Sequence, residues 1–177
     1  MADSTLAGVL VGGLITCVSS IGVTFVSDAL RQRREAKTLA RAFKGGIAAI
    51  LLIIQERRYV ALVDEQIALA ESGKDFFVPT ARAKRNYVEL YNKNVDRIGL
   101  LHPELAEKIP TFYTYVNSLI EDLDGILDGK VVFPSRDAMY RSLVEFRDLL
   151  AKTILTGREI VSLVDEKYPE SNMIIPG

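Results

Sequence analysis

A single histidine and a single cysteine leave this chain little with which to do covalent or metal chemistry. His102 stands directly before Pro103 with Gly99 three residues upstream, so the Glu-x-x-His pairing of helical metal sites is not formed there. Its place at the start of a helix suits a cap or a solvent-facing residue better than a catalyst. Cys17 has no second cysteine to pair with, and its apolar neighbours make it a small hydrophobic filler. Glu121, Asp122, Asp124 and Asp128 form an acidic cluster, but Leu119, Leu123 and Ile126 run through it at helical spacing. That pattern reads as a solvated helix face, since a calcium loop needs glycine at a set offset in a twelve-residue pattern. Arg57-Arg58 could hold a phosphate, although pairing with nearby acids is the simpler expectation. Tyr87, Tyr91, Tyr113, Tyr115 and Tyr140 fall at spacings that suit core and rim packing rather than a ligand cage. No phosphate-cradling glycine loop follows a strand, and no segment reads convincingly as a strand. The residues therefore point to a non-enzymatic protein without catalytic residue, cofactor or metal.

The segment with most to say carries no chemistry. Ser4 to Ser27 is uncharged over 24 residues and bracketed by Asp3 and Asp28. A helix of that length runs roughly 36 Å, enough for the ~30 Å hydrocarbon core of a bilayer. A cleavable signal peptide would have a basic start, a shorter apolar centre and a small-residue cleavage site, none of which is present. A buried core helix would be expected to be shorter and to show a polar face. Gly8, Gly12, Thr16, Ser19 and Gly22 fall within about 120° of one another around the helix, opposite Leu10, Leu14, Val18, Ile21 and Phe25. This stripe, with Gly8-x-x-x-Gly12 at its start, suits close helix–helix contact in lipid.

Charge orients the span. Arg31, Arg33, Arg34 and Lys37 form a basic collar just after it, whereas Asp3 and the α-amino group are the charges before it. The expected topology has the N-terminus outside and the C-terminal body in the cytoplasm, at a cell (inner) membrane. The collar would lie against anionic headgroups, with each cation worth ~1 kcal/mol near the surface. The overall net charge of −1 hides a split, +6 over residues 31–60 and −5 over 61–177. An acidic distal body is the opposite of what nucleic-acid binding requires.

Beyond the collar every signal is helical. From Arg31 to Ser72 the apolar residues Leu39, Phe43, Ile47, Ile50 and Ile54 recur at spacings of three and four, with Gly45-Gly46 marking a close crossing or bend. The uncharged run Gly45–Ile54 is too short to span a bilayer and reads as a core segment. Ser72-Gly73-Lys74 ends this helix. Thr80 caps the next, which carries Val88, Tyr91, Val95 and Ile98 and closes at Gly99. Pro103 opens a helix whose seam is Leu105, Ile109, Phe112, Val116, Leu119, Leu123 and Ile126, a heptad repeat suited to knobs-into-holes packing. Pro110 predicts a kink or break near Ile109. Asp128-Gly129-Lys130 ends the seam helix, and Ser135 caps the last. That helix carries Met139, Leu143, Phe146 and Leu150 and continues through Thr153, Gly157, Ile160 and Val164 to Tyr168-Pro169. Thr153 and Gly157 thin its seam and leave room for a bulky neighbour. The connections Gly73–Thr80 and Gly129–Ser135 echo each other, through duplication or through convergence on one way of stopping and restarting a helix.

The segment from Asn94 to Ala106, continued by Phe112-Tyr113-Thr114, resembles one in small bacterial proteins of unknown function with an N-terminal membrane span. The resemblance implies a helical protein at a bacterial membrane and no particular activity. The predicted fold is all-α: a transmembrane anchor (1–30), an elongated antiparallel three-helix, coiled-coil-like bundle (31–168) and a tail (169–177). The expected role is protein–protein assembly, as a scaffold, a homo-oligomer or an accessory subunit of a larger membrane complex. The alternative is a membrane-anchored sensor whose bundle binds a small ligand.

Overall fold

A computed structural model describes the backbone of residues 3–79 and 85–170 and the side chains of 27–79 and 86–170. The chain divides into two compact units, Met1–Thr38 and Leu39–Gly177. The described backbone is all-helical and contains no strand. Helix α1 covers Asp3–Glu56, α2 Tyr59–Glu71, α3 Glu89–Asn92, α4 Pro103–Leu127 and α5 Arg136–Lys167. Two 3₁₀ turns, Arg85–Val88 and Val95–Leu100, flank α3.

In the first unit α1 carries the basic collar. Arg31, Arg33 and Arg34 are exposed and Lys37 is half-buried. Arg31 Nε lies 3.0 Å from Glu35 Oε1, one helical turn on. The small-residue stripe Gly8, Gly12, Thr16, Ser19 and Gly22 lies outside the residues whose side chains are described.

In the second unit the largest apolar cluster joins Phe43, Ile47 and Ile50 of α1, Ile109, Phe112 and Tyr113 of α4, and Ile160 and Val164 of α5. Aromatic edges organise its centre. Tyr113 stacks on Tyr91 with ring centroids 4.9 Å apart and meets Phe112 edge-on at 5.3 Å. Geometries of this kind add about 0.5–1.5 kcal/mol beyond area burial. A smaller cluster gathers Val63 of α2, Phe76 and Val78 after it, and Leu143 of α5.

Local signals placed most helix ends. Gly73 and Gly129 adopt left-handed φ values of 75° and 68°. Behind each, a lysine N–H reaches back five residues, Lys74 to Leu69 O at 3.0 Å and Lys130 to Gly125 O at 2.9 Å. Both are Schellman closures. Ser135 Oγ accepts from Ala138 N at 3.1 Å and caps α5. Pro103 occupies the first turn of α4.

Three expectations are corrected. The helix expected over Arg31–Ser72 is interrupted at Arg57-Arg58, where Arg58 takes φ 53° and hands the chain from α1 to α2. No local breaker stands there; burial of Val63 and Gln66 on the far side of the turn holds it. The continuous helix expected before Gly99 is instead two 3₁₀ turns around the four residues of α3. Asn94 Nδ2 donates to Leu90 O at 2.9 Å while its own N–H bonds Tyr91 O at 2.9 Å, a local competition that ends the helix. The break foreseen at Pro110 is absent, and α4 passes through it. Leu105, Ile109, Phe112 and Tyr113, fully buried on either side of the proline, hold the helix through the lost backbone bond.

The heptad residues Leu105, Ile109, Phe112, Val116, Leu119 and Leu123 are buried, and Ile126 is half-buried. Tyr113 and Ile120 are buried beside them, so α4 turns a stripe wider than a strict coiled-coil seam toward its neighbours. Along α5, Leu143 and Leu150 are buried, whereas Met139 and Phe146 are half-buried.

Candidate functional site

Two features of the second unit stand out, a half-open cavity between its helices and an apolar face outside. The cavity, about 70 Å³, lies where the large cluster gives way to the small one. Ile50, Ile53 and Ile54 of α1 form one wall, Leu119 and Leu123 of α4 a second, and Phe146, Leu150 and Thr153 of α5 a third. Leu119, Leu123, Leu150 and Thr153 are buried yet belong to neither cluster; each faces this cavity. The polar groups of its lining are Thr153, Arg57, Tyr59 and Tyr87. Thr153 Oγ1 already donates to Leu149 O at 2.7 Å, which leaves the interior apolar.

Arg57 is exposed, and its Nη1 donates to Tyr59 Oη at 3.0 Å. Among the described residues no carboxylate lies within ion-pair distance of Arg57 or Arg58. The expected pairing of these arginines with acids is therefore not formed there. Sequence reasoning also missed Tyr59, because a turn that brings it to the cavity has no local signature.

Thr153 and Gly157, both read as thin points, meet different fates. A Cβ on Gly157 would sit 2.8 Å from Phe112 Cε2 and 3.0 Å from Leu51 Cδ2, so the gap there is filled. Thr153 lines the cavity. Gly46 is tight in the same way, with Leu90 Cδ2 2.8 Å from its Cβ position, whereas Gly45 has nothing within 4 Å.

That openness belongs to the outer face of α1. Gly45, Ala48, Ala49 and Leu52, at helical spacing and without a charge, are all solvent-exposed. Ser27–Glu56 is, among the described residues, the one helical stretch long and apolar enough to cross a membrane. Only 28% of its most apolar window is buried. Its inner stripe, Leu39, Phe43, Ile47 and Ile50, is spent on the core, and its outer stripe is open. Beside that stripe a groove of about 850 Å³ runs between α1, α2 and α5, floored by Leu51, Val60, Ala61, Ile154 and Val161. Arg58, Asp64 and Arg158 stand along it.

The remaining titratable groups read as structure. His102 N donates to Tyr168 Oη at 3.0 Å, and its Nδ1 is buried without a partner among the described residues. Burial, then the neighbouring charges of Glu121 and Glu145, raises the Asp122 carboxyl above its ordinary value. Asp128 pairs with Lys130 at 3.1 Å. No group of three or more His, Cys, Asp or Glu that could hold a metal occurs among the described residues. Tyr113 Oη is buried without a partner there, and burial pushes its pKa up to about 12. Compared with protein families, curated proteins and solved structures, the chain matches none.

Proposed function

We propose that this protein is a non-enzymatic, single-pass membrane protein whose helical body mediates assembly, as a homo-oligomer or as an accessory subunit of a larger membrane complex. The observation that carries the reading is the exposed, uncharged face Gly45, Ala48, Ala49 and Leu52 of α1. Small residues along one stripe let a second helix approach closely, and Leu52, 55% exposed, supplies an apolar contact beside them. Ser4 to Ser27 is the proposed anchor, with N-terminus outside. Arg31, Arg33, Arg34 and Lys37 meet anionic headgroups on the cytoplasmic side of an inner membrane.

Crosslinking of the full-length protein in native membranes tests the assembly. The expected result is a discrete crosslinked species that disappears in Ala48→Glu and Leu52→Glu, with the protein pelleting at ultracentrifugation in every case. A monomer that captures nothing overturns the assembly reading. Protein left in the supernatant without detergent overturns the anchor.

A further inference from the structure

We propose that the cavity between the two clusters is a binding site for a short-chain aliphatic monocarboxylate, with the alkyl end enclosed and the carboxylate on the Arg57 guanidinium. This goes beyond the assembly reading and does not depend on it.

The chemistry of the lining selects the ligand class. The wall residues from α1, α4 and α5 are aliphatic or aromatic apart from Thr153, whose hydroxyl is already used by Leu149 O. A pocket with walls this apolar rewards an apolar guest. At about 70 Å³ it is close to half the ~150 Å³ that holds benzene, so it encloses roughly three or four carbons and no ring. Arg57 is the one charged residue of the lining, and no acid faces it there. Its Nη1 is engaged by Tyr59 Oη, while Nε and Nη2 remain to grip a carboxylate with two parallel bonds. One guanidinium without a second cation in the lining matches a single negative charge better than a phosphate dianion.

The test is calorimetric titration of the full chain in zwitterionic nanodiscs with sodium pentanoate and, separately, with neutral 1-pentanol, backed by thermal unfolding. Pentanoate, with four carbons beyond its carboxylate, is expected to bind wild type and raise its Tm. Arg57→Gln should weaken pentanoate by about tenfold or more while leaving pentanol unchanged, because only the charged head is lost. Leu150→Phe should abolish binding of both by filling the site. If that variant does not fold, Tyr59→Phe, which frees Arg57 Nη1 and leaves the interior intact, must still bind pentanoate. Equal binding of pentanoate and pentanol that Arg57→Gln does not alter overturns the carboxylate assignment, and binding of neither overturns the site.

Discussion

The two apolar clusters of the second unit are closed by different means. Around Phe112 and Tyr113 the surfaces interlock so tightly that a glycine Cβ at position 157 would strike a ring. Around Val63, Phe76 and Leu143 closure relies on polar clamps. Gln66, itself buried, accepts from Phe77 N at 3.0 Å, and Tyr140 Oη donates to Glu71 Oε1 at 3.0 Å. Arg136 lies over the Phe76 ring, 4.9 Å from its centroid, and bonds Lys74 O. Arg147 pairs with Asp64 at 3.1 Å. The polar region also leaves Phe77 and Val132 62% and 80% exposed. Where the burial is complete, shape closes the cluster; where it is partial, directional bonds do.

The largest effect that would break this contrast comes from truncation. Phe112→Ala should cost about 4 kcal/mol, within the range for a fully buried aromatic ring. Phe76→Ala, at an edge that can relax, should cost about half as much. Equal losses in denaturant unfolding would erase the distinction between the clusters. Next comes the glycine series. Gly157→Ala should lose about 1–2 kcal/mol to overpacking, whereas Gly45→Ala should gain up to ~1 kcal/mol from helix propensity with nothing to strike. Circular-dichroism melts of the two variants would show opposite signs.

Smaller still, Tyr113→Phe removes a buried hydroxyl that has no partner among the described residues and should be neutral or stabilising by ~1 kcal/mol. It should also change the alkaline limb of the stability curve. Tyr113 is held to about 12 when folded against an ordinary value of 10.0, so its neutral form favours the fold below pH 10. That contribution is lost as pH rises toward the folded value. Wild type should therefore lose more stability than Tyr113→Phe between about pH 10 and 12, as followed by unfolding at fixed denaturant. The smallest expected change is Arg58→Gly, which relieves a left-handed backbone position and should gain about 0.5–1 kcal/mol.

Helix ends were readable because their causes are local. Gly73, Gly129, Pro103 and Ser135 act within a turn of themselves. The turn at Arg58 was not, since burial of Val63 is decided by residues far along the chain; around α3 the local Asn94 bonds end the helix, while the stacking of Tyr91 on Tyr113, which fixes where that segment lies, is again long-range. Thr153 and Gly157 show the limit for the site. Both look like gaps in one helix, but the positions of Phe112 on α4 and Leu51 on α1 decide which gap is filled. The cavity is a property of three walls, and a pattern along any one helix cannot report it. The outer face of α1 was half legible: Gly45–Ile54 read correctly as uncharged, and its inner stripe as core, but nothing in its periodicity announced that the other stripe would stay open.

Helix α5 contributes to both clusters, whereas α2 has α5 as its main neighbour. Amide protons of α2 can thus exchange through a local opening that detaches α2 and the chain around Phe76 while the Phe112 region stays protected. Such an opening would uncover the Leu143 side of α5 without dissolving the rest of the unit.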